Sequence, residues 1–168
     1  VPVYGAFPDG GGEWGTRSTL LNETILSGDL DNSSGTPTDG DSQRVVVVED
    51  ADDGAVLDGF TVTCGYSEYG YADQNFGAGM HIRNSSPAVA NCVFKYNQGD
   101  FAGAMGIVDG SAPLVINCRF TLNFAENDGG AMYCHESSPV VVNTVFETNT
   151  SRNGRGGAVF HFSGEPRM

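Results

Sequence analysis

GAGMHIRNSSPAVANCVFKYN (77–97) is rewritten twice downstream, as GAMGIVDGSAPLVINCRFTLN (103–123) and GGAMYCHESSPVVVNTVFETN (129–149), each copy starting 26 residues after the last. Pro87, Pro113 and Pro139 keep that interval, as do Asn91, Asn117 and Asn143, then Phe94, Phe120 and Phe146, then Asn97, Asn123 and Asn149. A fourth opening, Gly156-Gly157-Ala158-Val159-Phe160, follows at 27, so the loop NTSRNGR (149–155) carries one extra residue. A fixed period of this length marks a repeat architecture.

The repeat shows no apolar stripe with a period of 3.6 residues. It consists of short β-rich runs punctuated by Gly, Asn and Pro. One strand is expected after the glycines (Met80–Arg83, Gly106–Asp109, Met132–His135), a second after the proline, and a third on the Phe-bearing run. Val89, Val115 and Val141 lie an odd number of positions from Phe94, Phe120 and Phe146. Plain alternation would put the two sets on opposite faces. A bend at the intervening Asn, which tolerates left-handed geometry, returns both to the inside.

Three strands and three bends per 26 residues or so describe one coil of an all-β, right-handed parallel β-helix. Equivalent residues then stack at the ordinary strand spacing of about 4.8 Å. The expected inward columns are Met80/Met132, Ile82/Val108/Cys134, Val89/Val115/Val141, Cys92/Cys118/Thr144 and Phe94/Phe120/Phe146, with Asn side chains bonded along the axis at the bends. Residues 1–168 form a single domain, regular over 77–162 and irregular over 1–65. VYGAF (3–7), TILSG (24–28), RVVVV (44–48) and VLDGFTVTCG (56–65) are the earlier strands. The long polar loops 8–19 and 29–43 and an inserted loop, YSEYGYADQNF (66–76), separate them. About six coils are expected, a rod of roughly 30 Å at that rise.

With 21 acids against 8 bases the net charge is −13. Such a field repels nucleic acid and anionic lipid. No run of about 18 apolar residues is present to cross a membrane. Val1 opens directly in an extended apolar segment without a signal-like core, as expected of a mature or truncated chain.

Cys64, Cys92, Cys118 and Cys134 lack CxxC or zinc-type spacing. Cys92 and Cys118 share an inward column, which leaves a strained disulfide or a buried thiol ladder. No cofactor is required, although Asp29, Asp31, Asp39 and Asp41 group hard oxygen ligands suited to calcium, and Glu49, Asp50, Asp52 and Asp53 form a second acidic group. Ser34 stands where a twelve-residue calcium loop needs glycine, and solvated acidic loops are the alternative. Asn22, Asn32 and Asn149 open glycosylation sequons, and Asn84 opens another that is followed by Pro87.

GGAMY (129–133) and GGAVF (156–160), paired with FKYN, FTLN and FETN, resemble the GGA-I/V/L and FxxN repeats of polymorphic outer-membrane proteins. The upstream order VYGAF…TILSGD…VLDGFTVTCG is similar to bacterial surface proteins of the pectate-lyase-like β-helix superfamily, of the type often carrying a separate surface-anchoring tail. The resemblance implies an extracellular or cell-surface location and a functionally mixed family of adhesins, appendage components, polysaccharide lyases and hydrolases.

Enzymes of that superfamily keep their cleft on the outward face of the strand after the glycines. Here the outward columns are expected to be His81/Ile107/Tyr133/Phe160 and Arg83/Asp109/His135/Phe162. Arg83, Asp109 and His135 would supply an acid/base cluster for an acidic glycan, while His81, Tyr133, Phe160 and Phe162 would bind sugar rings without turnover. No Gly-His-Gly element is present and no carboxylate pair can be assembled. The expectation is therefore a non-catalytic surface, adhesive or appendage-building module. Its ends invite axial stacking of copies, and its further partner would be a glycan or a cell surface.

Overall fold

The computed structural model describes residues 2–9, 11–32, 36–52, 54–68 and 76–165. It is a right-handed parallel β-helix with no α-helix among those residues and a single 3-10 turn at Trp14–Thr16. Three five-stranded parallel sheets run the length of the rod. The proline sheet holds Pro2–Tyr4, Val56–Asp58, Ala88–Ala90, Leu114–Ile116 and Val140–Val142. The phenylalanine sheet holds Ile25–Ser27, Thr61–Thr63, Val93–Lys95, Arg119–Thr121 and Val145–Glu147. The methionine sheet holds Val46–Glu49, Met80–Arg83, Met105–Val108, Met132–His135 and Val159–Phe162.

Five strands per sheet make five coils, not six. Pro2–Tyr4, Ile25–Ser27 and Val46–Glu49 belong to one coil, because loops 8–19 and 29–43 are insertions within a single turn. VLDGFTVTCG likewise contains two strands, one in the proline sheet and one in the phenylalanine sheet. The three regular coils also add a short fourth strand, at Gln98–Gly99, Phe124–Ala125 and Thr150–Ser151.

The bend between the second and third strands is where the parity argument requires it. Asn91, Asn117 and Asn143 have φ of 51°, 54° and 46°. Their side chains form an outer ladder in which Asn143 donates to Asn117 at 2.7 Å, Asn117 to Asn91 at 3.4 Å and Asn91 to Asp58 at 2.8 Å. The next residue uses its side chain to close the bend: the thiols of Cys92 and Cys118 and the hydroxyl of Thr144 each donate to the carbonyl two residues back.

The core is a set of like-on-like columns. Phe94 stacks on Phe120 at 4.8 Å between centroids, and Phe120 on Phe146 at 5.0 Å. Beside them runs a buried amide ladder, in which Asn97 donates to Asn123 at 3.0 Å and Asn123 to Asn149 at 2.9 Å. Each amide also donates to a carbonyl of the preceding coil, Val62, Phe94 and Phe120 in turn. Val89, Val115 and Val141 fill the third wall.

One register differs from a strict 26-residue count. Met105 pairs with Met80 and Met132, Gly106 with His81 and Tyr133, Ile107 with Ile82 and Cys134, and Val108 with Arg83. The inward columns are therefore Met80/Met105/Met132 and Ile82/Ile107/Cys134. Ile107 is not outward and Val108 is not inward. The segment Asn97–Met105 is one residue shorter than Asn123–Met132, and the bend Val108–Pro113 is one residue longer than Arg83–Pro87, so the slip starts and ends within one coil.

The columns predict an ordering of substitutions. Phe120→Ala removes the middle of the ring stack and lowers unfolding free energy by about 3–5 kcal/mol. Cys118→Ser keeps a donor to the Ile116 carbonyl and costs roughly 1 kcal/mol. Urea denaturation of the two variants checks the ranking.

Candidate functional site

The outward face of the methionine sheet is built differently from its sequence expectation. Asp109 sits in the bend after the strand, exposed, with φ of 54°. Val108 occupies the rung between Arg83 and His135, which separates those two by two strand spacings. Arg83 pairs with Glu49 of the preceding coil, Nη2 to Oε2 at 3.3 Å. That ion pair holds Glu49 below and Arg83 above their ordinary ranges. His135 lies between Tyr133 and Phe162, its ring 5.4 Å from that of Phe162. The trio Arg83, Asp109 and His135 is not an acid/base cluster.

The ring-binding candidates are largely covered by the protein itself. Gly106 stands where the repeat would place a side chain, and a Cβ there would lie 2.5 Å from the Phe76 backbone. Phe76 fills that notch. It stacks on Tyr133 at 5.1 Å and packs against Phe101 at 5.6 Å, while Tyr133 meets Phe160 at 5.6 Å on the next rung. Tyr133 is only 8% exposed, and the guanidinium of Arg155 lies 4.3 Å over Phe160. Neither Tyr133 nor Phe160 is an open platform. Phe162, 51% exposed, is the outward ring that stays accessible on this face.

His81 is buried as well, at 3% exposure. Its Nδ1 hydrogen-bonds the Phe76 carbonyl at 2.9 Å and its Nε2 is 3.5 Å from Glu49 Oε1. A carbonyl only accepts, so Nδ1 carries the proton. His81 is therefore a clasp for the segment that ends the inserted loop, not a ligand residue. Sequence reasoning missed Phe76, Phe101 and Arg155. The glycine at position 106, inside a strand, was the available signal.

A polar groove runs beside the short fourth strands. One part, about 600 Å³, is lined by Phe101, Asn127, Asp128, Asn153, Gly154 and Arg155. A neighbouring part, about 370 Å³, shares Asn127 and Asn153 and adds Tyr66, Ser67, Gln98, Gly99 and Glu126. Asp128 is buried and bound by Arg155 at 3.0 Å, and Glu126 by Arg152 at 3.0 Å.

The acidic loop brings three of its four candidates together. Carboxylate oxygens of Asp29, Asp31 and Asp41 lie within 4.8 Å of one another, and Asp39 is not among them. Asp41 is buried and accepts from the Leu30 and Thr38 amides at 3.0 and 2.9 Å, while Asp31 accepts from the Thr38 hydroxyl at 3.0 Å. Such a donor set suits a hard divalent cation. In the second acidic group Glu49 pairs with Arg83 and Asp50 accepts from Asn84. Asp53 and Ser34 lie outside the described residues.

All four cysteines are free and buried. Cys92 and Cys118 form the thiol ladder, not the disulfide, because in-register side chains point the same way. Within the pair the contact between the two thiols lowers Cys92 and raises Cys118, and burial pushes Cys134 up to about 12. The Asn149 amide, which glycosylation would modify, is instead engaged in the asparagine ladder and bonds the Phe120 carbonyl. Asn22 donates to the Ala6 and Thr16 carbonyls, and Asn32 is exposed.

The His81 clasp predicts a pH dependence. Burial, reinforced by Arg44 and Arg83, lowers its pKa, against the Phe76 carbonyl and Glu49, which raise it. The folded value lies below the unfolded value of about 6.5. Stability from the neutral ring is thus complete above that value and is lost as pH falls through the folded one. Unfolding free energy declines on acidification from about pH 7 towards 5, and His81→Asn, which retains a donor for the Phe76 carbonyl, flattens the decline. Chemical denaturation across that pH range measures both.

Comparison with known proteins agrees with the geometry. The family model described as the right handed beta helix region matches residues 38–168. No curated protein and no solved structure matches the chain. The matched span covers most of the sequence and contains the parallel coils described above, so the chain belongs to the right-handed β-helix family.

Proposed function

We propose that this chain is a non-catalytic β-helix module with a structural or adhesive role at a cell surface or outside the cell. The observation that carries the reading is the dispersal of the one acid/base set the sequence offers. Arg83 is committed to Glu49, Asp109 sits in a bend, and His135 is stacked among rings. General acid/base chemistry needs its groups within hydrogen-bond reach of one reacting centre. The repeated positions are committed to continuous ladders of Phe, Asn, Val and Met, which stiffen a rod without presenting reactive groups. The acidic surface and the resemblance to surface β-helix proteins support the location.

Self-association belongs to the same reading. Val3, Leu26 and Val46 at one end of the described coils, and Val141, Phe146 and Val159 at the other, continue the inward columns. Copies stacked end to end would extend every ladder and bury these faces.

Incubation with pectin, alginate, xylan, cellulose and chitin, with and without calcium, is expected to release neither reducing ends nor unsaturated uronates. Turnover of any of them that disappears in His135→Ala overturns the reading. Sedimentation velocity is expected to show mass rising with concentration, less so in Val159→Asp. Monomers at every concentration sink the end-to-end part.

A further inference from the structure

The outward face of the proline sheet differs from the other two sheet faces in carrying almost no charge. We infer that it is a self-interface, on which a second copy of the chain packs side by side with its rod axis reversed. This contact is distinct from end-to-end stacking and does not rest on it.

Each strand of that sheet turns its middle residue inward and the two flanking residues outward. The first outward position is held by Pro2, Val56, Ala88, Leu114 and Val140, and the second by Tyr4, Asp58, Ala90, Ile116 and Val142. None of these residues is buried, and Leu114 and Val142 are 39% and 43% exposed. Asp58 is the one acid among them, and no base is present. It is neutralised in place, bound by Arg17 at 2.7 Å and by the Asn91 amide at 2.8 Å. The other faces are charged on their strands. Glu49 and Arg83 point outward from the methionine sheet, and Lys95, Arg119 and Glu147 from the phenylalanine sheet.

Charge selects the partner. Copies at −13 repel one another, so two of them meet most readily over a face that brings no net charge to the contact. The acids nearest to it, Asp109 and Glu136, sit in the bends ahead of Pro113 and Pro139, off the sheet itself. A basic partner finds its complement on the acidic loops and not on this face. A run of exposed apolar residues along five coils, about 19 Å from first strand to last, exceeds the scattered single side chains normal for a surface.

Shape selects the orientation. Ala88 and Ala90 make a low step between Val56 on one side and Leu114 with Ile116 on the other. A two-fold axis crossing the rod midway between the Ala88–Ala90 and Leu114–Ile116 strands sets the partner's Leu114 and Ile116 over Ala88 and Ala90, and the reverse. The same axis sets Val56 against the partner's Val140. An isologous contact must complement itself, and large residues facing small ones interdigitate. A face two side chains wide is smaller than the ~800 Å² per partner of a stable interface. The pair is therefore weak and reversible, although the strands are already ordered and lose little on docking.

Sedimentation velocity on Val159→Asp, in which end-to-end growth is blocked, is expected to show a reversible monomer–dimer equilibrium and nothing larger. Leu114→Glu on that background is expected to weaken the dimer at least tenfold. Thr121→Glu, which adds the same charge on the phenylalanine-sheet face, is expected to leave it unchanged, with thermal melts showing that both variants fold. Sodium chloride tightens the dimer by screening the repulsion between copies, the opposite of its effect on an ion-paired interface. The four native cysteines are buried, so oxidative cross-linking reads engineered thiols alone. A mixture of Ala88→Cys and Leu114→Cys chains is expected to cross-link faster than either chain by itself. Monomers at every concentration overturn the inference, as does a dimer indifferent to Leu114→Glu, a dimer dissolved by salt, or a mixture that cross-links no faster. Co-flotation of monomeric Val159→Asp with phosphatidylcholine vesicles, lost in Leu114→Glu, assigns the face to a lipid surface and overturns it as well. Leu114→Glu alone is expected to keep growing end to end, which separates failure of this contact from failure of end-to-end stacking.

Discussion

Every coil hands its backbone N–H and C=O groups to the coil before and after it, and the spacing of that exchange governs the molecule. A residue that recurs at the same place in each coil sits about 4.8 Å from its own copy. Side chains that tolerate this proximity form ladders; those that do not are kept apart. Phenylalanine rings stack face to face at 4.8 and 5.0 Å. An asparagine amide donates and accepts at once, so Asn97, Asn123 and Asn149 satisfy one another inside the bend. A carboxylate cannot do that, since like charges at this distance repel.

The same constraint explains how the few bases are placed. Glu49–Arg83, Arg119–Glu147, Glu126–Arg152 and Asp128–Arg155 each join one coil to the next. Pairs of this kind at or near the surface add little to stability. Their importance is in register. They set opposite charges on neighbouring rungs in a chain where acids outnumber bases 21 to 8. A one-residue slip would bring like groups together and turn the aliphatic set outward.

Much of this is legible in the sequence because ladders impose identity on repeats. The outer and buried asparagines and the three phenylalanines repeat because each touches its copies, and with Pro87/Pro113/Pro139 they let the coil, its bends and its core be read. What a strict 26-residue count misses is compensation between loops. The bend before Met105 is short by one and the bend after Val108 long by one, so anchors on either side keep step while the strand between them shifts. That shift moved Ile107 inward and put Val108, not Asp109, beside Arg83. The sites are less legible for a related reason. Phe76 reaches Gly106 and Tyr133 across the coils, a contact with no period to reveal it.

Irregularity in this rod collects where the repeat is broken. The segment between the buried asparagine and the methionine-sheet strand lengthens by one residue per coil, from Asn97–Met105 to Asn123–Met132 to Asn149–Val159. Added residues cannot enter the ladders without breaking them, so they move outward and form a staggered wall on one side. Phe101, Asn127 with Asp128, and Asn153 with Arg155 are the residues on that wall. Their replacement leaves Phe94, Phe120 and the amide ladder untouched, so the wall can vary while the scaffold holds its shape. Variation and rigidity are thereby assigned to different residues of the same short repeat.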